Sequence, residues 1–436
     1  DLPRRLSRAA QSVTWTKPEL KGEAPAARSG HTFSTVGMKN IVFGGCGRTP
    51  EGQAQTFGDV WNLDFSNPDL LRWKELQPEG ESPAPRSRHT ATPVGKKLLV
   101  FGGLNHRERY NDAWMFDSSG KDGSWERLEI EGQAPPPRAH HSAVLVGNQV
   151  LFFGGYGGHG KVYNDLWILD LGDPGEQTPM RWVQPVTKGK APAPCFDHTV
   201  SYYPNKMVIF GGRDNLRIFK AMHLFDLETL TWENDVIMPD FSSDVCNHVS
   251  DAIESVPNYK LFTFGGKAGM MQYLDKVDVM DCGSLVWSSP RVHGKPPCAR
   301  EDTAWVYDNK TCRLVMFGGW ANRFRGFGPG LGPVGAHRRG HDEAHLRHYE
   351  LQAVPVHLPR PVLAFDLPQV RIVLGLVLGV RYLAGVVREE LQELGVLERL
   401  VELLHLLLRQ LQLLHPLPQR RPLRLAPPGR AAPHRT

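Results

Sequence analysis

Histidine, arginine and aspartate recur at similar intervals along the first 320 residues, and such side chains can carry acid–base chemistry. In three places an arginine lies three residues before a histidine, and in two further places the histidine stands without it. A residue that returns at the same point of successive similar segments is dictated by the segment rather than by one substrate. We therefore predict structural hydrogen bonding for His31, His89, His141, His198, His248, Asp64, Asp117, Asp170, Asp226 and Asp281.

Residues 132–170 show the elements that must position these side chains. A proline-rich turn ending in Arg138 precedes His141, an apolar run at 150–153 ends in a double glycine, and a second apolar run ends at Asp170. Each run is too short for a helix and is rich in β-branched and aromatic residues, which favours strands. One segment therefore predicts about four short strands, and a sheet of that size cannot bury its faces alone.

The segment is repeated along the chain. Double glycines begin at 44, 102, 154, 211, 265 and 318, and lone tryptophans stand at 15, 73, 125, 182, 232 and 287, at intervals of 50 to 58 residues. A period near 50 with four strands per unit is typical of a propeller blade. Between Trp15 and Trp320 the six copies resemble kelch repeats. This resemblance implies an all-β, six-bladed kelch β-propeller.

The first tryptophan predicts how the propeller closes. Residues 13–16 resemble the fourth strand of a blade, but nothing precedes them to pair with. Propellers that build one blade from both chain ends leave no exposed sheet edge. We predict that Trp15 closes the sixth blade beside the strand at 314–317, that the propeller spans residues 13–320, and that residues 1–12 are disordered.

The composition changes abruptly after Trp320. No third strand ending in aspartate follows, so the pattern predicts an incomplete sixth blade. Residues 321–436 form a low-complexity tail without Lys, Ser, Cys, Met or Trp, which suggests a frame-shifted coding sequence. A continuous open frame in the full-length transcript would contradict that hypothesis. The alternative is a real, irregular or partly helical extension, because leucines within residues 386–415 follow a short three–four spacing on a candidate helix.

Charge and cysteine content exclude several function classes. The net charge is +5, but the repeat region carries 35 basic against 37 acidic residues, so it predicts no nucleic-acid partner. The six cysteines form no metal-binding pair, which favours reduced thiols in a cytoplasmic protein. No apolar run reaches 18 residues, and we expect neither a membrane partner nor a cofactor.

Binding residues are expected where the repeats differ, in the loops after the double glycines. These loops should lie on one rim of the disc, and loops on a rigid scaffold concentrate binding residues. Arg, Tyr, Trp and Met are enriched at protein interfaces, and Arg suits carboxylates on an acidic peptide. The predicted partner-binding residues are Arg48, Arg107, Arg109, Tyr156, His159, Arg213, Arg217, Lys267, Trp320 and Arg323.

The kelch resemblance implies a non-catalytic scaffold that binds other proteins. Some kelch propellers are enzymes that use copper or iron, but no matching set of ligands stands out here, and we predict neither a catalytic residue nor a metal ligand. Residues 240–248, 299–303 and 317–323 are similar to kelch heads of flagellar proteins such as algal outer-arm dynein heavy chains. That narrower resemblance implies axonemal partners and a place in the cilium or cytoskeleton.

Overall fold

Short, mainly antiparallel sheets, with no helix, make up the part of the chain that the structure describes. The computed structural model describes residues 12–49, 52–67, 70–106, 108–172, 178–233, 236, 241, 244–255, 258–269 and 272–321, and the backbone of 352–355. The candidate helix at 386–415 lies outside these residues, as do residues 1–11 of the segment predicted to be disordered. The described part contains no helix with the length and apolarity that a membrane crossing needs.

Blades 1 to 3 each have four antiparallel strands in chain order from the inside outward. Blade 1 contains Thr32–Val36, Lys39–Phe43, Val60–Asp64 and Leu70–Leu76, with Glu19–Lys21 added in parallel outside. Blade 2 contains Thr90–Val94, Lys97–Phe101, Ala113–Asp117 and Ser124–Arg127, and blade 3 contains Ser142–Val146, Gln149–Gly158, Lys161–Asp170 and Arg181–Val183. The short strands Arg28–Ser29, Cys46–Arg48, Ala54–Thr56, Leu104–Asn105 and Glu108–Arg109 belong to the loops at one end of the blades.

Blades 4 to 6 continue the pattern around the ring. Blade 4 contains Thr199–Tyr203, Lys206–Phe210, Met222–Asp226 and Thr231–Trp232, and blade 5 contains Val249–Ser255, Asn258–Phe264, Val277–Asp281 and Val286–Ser288. Blade 6 contains Ala304–Asp308, Arg313–Phe317 and Gln352–Pro355, beside Ser12–Trp15, which pairs in parallel with Arg291–Gly294. Each innermost strand contacts those of both neighbouring blades, and the strand of blade 6 contacts that of blade 1. The predicted all-β propeller is confirmed, and its described sheets follow one another in a ring of six.

The hydrophobic core is divided among the seams between blades. The second strand of each blade is an almost continuous apolar run, and in blade 3 residues 150–153 are at most 1% exposed. A strand that is covered on both faces needs such a run rather than an alternating one. Buried side chains of neighbouring blades form one cluster at each of the six seams. Stability therefore depends on every blade having two neighbours.

Trp15 occupies the fourth-strand position of blade 6. It is 3% exposed, packs against Phe264 at 5.1 Å between ring centroids, and shares a cluster with Leu314 and Met316. Gly294, which precedes blade 6, lies against the Trp15 carbonyl just as Gly22, before blade 1, lies against that of Trp73. Both glycines have positive φ, and a Cβ atom on either would come within 2.7 Å of that carbonyl oxygen. The contacts place Trp15 where the closing strand was predicted.

Blade 6 differs from the expectation in one respect. The sequence pattern predicts no third strand after Trp320, but Gln352–Pro355 runs antiparallel to Arg313–Phe317 in that place. The expectation rested on an aspartate-terminated apolar run, whereas the backbone pairing of four residues requires no particular side chain. Blade 6 therefore has three hydrogen-bonded strands instead of two.

Candidate functional site

A closed ring of backbone hydrogen bonds surrounds the propeller axis at one end. Its members, called the mouth ring below, are the residues directly before the inner strand's histidine or its equivalent: Gly30, Arg88, His140, Asp197, Asn247 and Asp302. Each N–H donates to the carbonyl of the preceding member, at 2.7 to 3.2 Å, and Gly30 closes the circle by donating to Asp302. All six have positive φ, between 54° and 61°. This positive-φ backbone is stabilised because each member is hydrogen-bonded to both of its neighbours in the ring.

The mouth-ring side chains form one network centred on Arg88. Its guanidinium bonds the Asp302 carboxylate at 2.5 and 3.2 Å, the His140 Nδ1 atom at 3.0 Å, and lies 3.6 Å from Asp197. The Arg88 side chain passes over Gly30 and needs the space that a side chain at residue 30 would fill. A Cβ atom at that residue would lie 2.9 Å from Arg88 Cγ. Arg88 thus links blade 2 to blades 3, 4 and 6 across the channel.

Two carboxylates of this network differ in their ionisation. Burial raises the pKa of Asp302 to about 7. The negative charge of Asp197 also raises this pKa, whereas the positive charge of Arg88 lowers it. Burial also opposes ionisation of Asp197, but His140, Arg88 and Arg213 outweigh it and hold its pKa below the ordinary value. Because folding raises the pKa of Asp302, binding of a proton to this carboxyl stabilises the folded state. This stabilisation is complete below about pH 4 and is lost as the pH rises through about 7.

A layer of buried histidines lies directly next to the mouth ring. In four of these five histidines the Nε2 atom bonds the hydroxyl that follows the histidine of the preceding blade: Thr32 with His89, Thr90 with His141, Ser142 with His198 and Thr199 with His248, at 2.8 to 3.0 Å. Burial lowers the pKa of His198 to about 4 and that of His248 to about 3, so the rings are neutral at pH 7. These contacts give the four histidines the predicted structural hydrogen bonds, whereas the same prediction for His31 is wrong.

The seam between blades 6 and 1 breaks this rule. His31 contacts Phe317 edge to face at 5.2 Å between ring centroids, as His89 contacts Phe43 at 5.1 Å. The residue in the hydroxyl position, however, is Ala304. Ala304 pairs with Phe317 in the same register that Thr32 has with Phe43. No hydroxyl therefore faces His31 Nε2, which is buried without a hydrogen-bond partner among the described residues.

Replacing Ala304 with serine should stabilise the protein by about 1 kcal/mol, because the new hydroxyl would pair His31 Nε2. The midpoint of chemical denaturation, followed by tryptophan fluorescence, measures the gain. Ala304→Val is the control, since it adds bulk without a hydroxyl. Equal midpoints for the serine and valine variants would refute the explanation.

Four buried arginines hold the loops below the mouth ring. Arg28, Arg86, Arg138 and Arg300 are at most 1% exposed, and each donates through Nη1 to the first glycine carbonyl of its double glycine at 2.9 or 3.0 Å. The first three also form two-pronged bonds of 2.6 to 2.9 Å with Asp59, Asp112 and Asp165. An aromatic ring covers each of these three guanidinium groups at 4.2 to 4.6 Å. These arginines stabilise the loops and are inaccessible to a partner.

The loops after the double glycines surround the mouth ring. The residue after the glycines pairs through its backbone with the residue before the mouth-ring member, as Tyr156 does with Ala139 and Arg213 with Phe196. Of the predicted binding residues, Arg213 enters the central network, where its Nε lies 2.7 Å from Asp197. Lys267 and Trp320 are placed like Tyr156, next to the ring. The prediction that these loops share one rim agrees with this geometry.

The other predicted binding residues lie farther from the centre. The Arg109 guanidinium covers the Tyr156 ring at 5.0 Å, and Arg217 covers Phe219 at 5.2 Å. Arg48 donates to the Gly52 carbonyl at 2.7 Å, and His159 is exposed in a turn. Arg107 and Arg323 lie outside the described residues.

The mouth ring itself was missed by sequence reasoning. The signal was present, because the position before the histidine changes from Gly to Arg, His, Asp, Asn and Asp while its neighbours repeat. A cavity of about 140 Å³ opens over these side chains and the histidines. Within the described ranges no group of three His, Cys, Asp or Glu side chains is arranged to hold a metal ion, and the copper- or iron-dependent alternative stays a hypothesis.

Comparison with known proteins agrees with this architecture. The chain is 49% identical to the flagellar outer-arm dynein alpha chain of Chlamydomonas reinhardtii over 72% of its own length, which is 7% of that protein. It is 29% identical to host cell factor of Drosophila melanogaster over 66% of the chain and 21% of that protein. It is 29% identical to Kelch domain-containing protein 2 of Bos taurus over 68% of the chain and 77% of that protein.

The family profile described as the KLHDC2/KLHL20/DRC7 Kelch-repeats domain matches residues 8–122 and 120–250. Together these two stretches cover more than half of the chain. With the ring of blades, the buried arginines and the double-glycine loops, this match shows that the chain belongs to the Kelch-repeat family.

Proposed function

We propose that this propeller is a non-catalytic docking platform and that its mouth face, meaning the mouth ring and the surrounding double-glycine loops, binds protein partners. The observation that carries the proposal is the contrast between a repeated scaffold and an unrepeated surface. The buried histidines and arginines recur from blade to blade, whereas the mouth ring presents six positions with five different residue types. A surface whose residues differ between equivalent positions is suited to one asymmetric partner.

Apolar side chains on the mouth face support binding of a protein rather than a small polar molecule. Leu216, in the blade 4 loop, is 94% exposed, and Trp320, in the blade 6 loop, is 44% exposed. Tryptophan is enriched among the residues that dominate interface energies. Arg213 is paired with the buried Asp197. An acidic peptide would be captured by cations farther from the centre, among them Lys267 and the 73% exposed Arg217.

We also propose that the partners are axonemal and that the propeller acts within a dynein heavy chain or a similar flagellar protein. The 49% identity to a flagellar outer-arm dynein chain supports this context, which would place the protein in the cilium. The match covers 7% of that relative.

The test compares two opposite faces of the disc. Immobilised protein is incubated with solubilised flagellar axonemes, and retained proteins are quantified by mass spectrometry. The variant Leu216→Asp with Trp320→Ala changes the mouth face. The control Met38→Asp changes a 93% exposed residue in the turn after Thr32–Val36, a strand that runs away from the mouth.

We expect wild type and Met38→Asp to retain the same axonemal protein and the mouth-face variant to lose at least about tenfold, the effect of 1.4 kcal/mol in binding free energy. Direct titration of that protein with each purified variant then confirms contact. Equal retention by the mouth-face variant would refute the mouth face as the binding surface. Retention of no axonemal protein by wild type would refute the axonemal context.

A further inference from the structure

The blade 4 loop ends in a tight turn whose apolar side chain points almost entirely into solvent. Leu216 in this turn is 94% exposed, whereas Trp320, the other large exposed hydrophobic residue that the described residues place on the mouth face, is 44% exposed. A single exposed leucine is ordinary on a protein surface. The surroundings of Leu216 are not ordinary, because the turn that carries it is fixed at its tip, at its base and at its side.

Asp214 fixes the tip of the turn. Its Oδ1 atom accepts hydrogen bonds from the backbone N–H groups of Leu216 and Arg217, at 2.7 and 2.8 Å. The N–H group of Asp214 donates to the Arg217 carbonyl at 3.0 Å. An aspartate that binds the backbone two residues further on forms an Asx turn. The backbone around Leu216 is therefore ordered before a partner binds.

The base and the side of the turn are attached to other parts of the mouth face. At the base, Arg213 pairs through its backbone with Ile218, and its Nε atom lies 2.7 Å from the buried Asp197. At the side, the Asn215 amide donates to the Gly160 carbonyl at 2.9 Å. Gly160 lies in the turn of the blade 3 hairpin, whose strands stay paired beyond the double glycine. The loops of blades 3 and 4 therefore support each other.

The surface around Leu216 is positively charged. The described loops 156–164 and 213–220 carry one acidic residue, Asp214, against four cations, which are Lys161, Arg213, Arg217 and Lys220. Arg217 is 73% exposed, whereas the Asp214 side chain is 27% exposed and is occupied by the backbone of the turn. A partner that covers this region is favoured if its own surface is negative.

We propose that Leu216 is the anchor of the mouth face: it inserts into an apolar pocket on a folded, acidic protein partner, and Arg217 meets a carboxylate at the rim of that pocket. The proposal rests on the proposed function, in which the mouth face binds a protein. A protruding side chain is buried by a concave surface, which a folded domain provides and an extended peptide does not. Because the turn is already ordered, its insertion costs little conformational entropy.

The first test identifies what lies against Leu216. A photoreactive diazirine amino acid replaces Leu216 in one variant of the full chain and the 93% exposed Met38, on the opposite face, in a control variant. Each variant is irradiated with solubilised flagellar axonemes, and the cross-linked residues are identified by mass spectrometry. We expect position 216 to label one protein, at apolar residues next to an aspartate or glutamate in a folded domain, and position 38 not to label it.

The second test measures the affinity of that cross-linked protein for purified variants. Leu216→Ala should weaken binding about tenfold, because the burial of most of a leucine side chain is lost, whereas Met38→Ala should leave the affinity unchanged. Asp214→Ala should also weaken binding, because the turn loses its order. Asp214→Asn should retain it, because an asparagine side chain can accept the same two hydrogen bonds. Circular dichroism checks the folding of each variant.

Arg217 and Trp320 complete the test. Arg217→Gln should slow association, and the difference from the wild type should shrink as the salt concentration rises. If Trp320→Ala abolishes binding and Leu216→Ala does not change it, the anchor is refuted and the mouth face remains the binding surface. Cross-links from position 216 to an extended acidic segment would also refute the anchor. If position 216 labels no protein that position 38 leaves unlabelled, the anchor and the proposed function both fail.

Discussion

Replacing Asp112 with asparagine is expected to lower the free energy of unfolding by roughly 3 to 5 kcal/mol, the range for breaking a buried ion pair on one side. Arg86 is fully buried, and both of its terminal nitrogens bond the Asp112 carboxylate, at 2.8 and 2.9 Å. The Arg86–Asp112 contact also holds the Gly102 loop, because Arg86 donates to the Gly102 carbonyl. The loss is measured by chemical denaturation with linear extrapolation.

Two companion variants separate the buried charge from ordinary surface effects. Arg181→Gln removes an exposed ion pair with Asp170 in blade 3, and we expect a loss below about 1 kcal/mol. Combining Asp112→Asn with Arg86→Met should cost less than the sum of the two single changes, since no unpaired cation is left behind. If Asp112→Asn is no more damaging than Arg181→Gln, the role assigned to the buried arginines is wrong.

Truncating Trp15 to alanine should cost about 3 to 5 kcal/mol, as removal of a large buried aromatic side chain does. The indole is 3% exposed and contacts Phe264, and its cluster contains Trp305, Leu314 and Met316 from blade 6. Because the strand also closes the ring, we expect the damage to begin locally. Amide hydrogen exchange should accelerate in Ala304–Asp308 and Arg313–Phe317 before it does in blade 3.

A conservative change at the same position tests the cause. Trp15 Nε1 makes no hydrogen bond among the described residues, so Trp15→Phe should retain most of the packing and most of the stability. Uniform acceleration of exchange in all blades of the alanine variant would show that Trp15 does not close the ring at blade 6.

The fold was predictable because its determinants are local and repeated. Each double glycine marks the end of a buried second strand, and each lone tryptophan marks a fourth strand, so period and strand count followed from the residues. The third strand of blade 6 was not predictable, because Gln352–Pro355 pairs through its backbone and carries no aspartate or aromatic signal. The repeat pattern consists of recurring side-chain types, and backbone pairing that does not repeat those types leaves no trace in it.

The candidate site was predictable only in part. The loops that carry Tyr156, Arg213 and Lys267 were placed on one rim from their positions after the glycines. The link between Arg88 and Asp302, 214 residues apart, depends on ring closure and on the absent side chain of Gly30. Positive φ at Arg88 gives no compositional signal, because arginine is not among the residue types that are enriched in such a backbone.

The closure of the ring at blade 6 has a mechanical consequence. Ser12–Trp15, Arg313–Phe317 and Gln352–Pro355 all belong to blade 6, so the polypeptide enters and leaves the disc in the same blade. A pulling force applied between Ser12 and Phe317 is carried by that blade and its seams, and blades 2 to 4 bear almost none of it. The disc would therefore be held through blade 6 alone. Its mouth face would carry no force, and the other blades would not be stretched one after another.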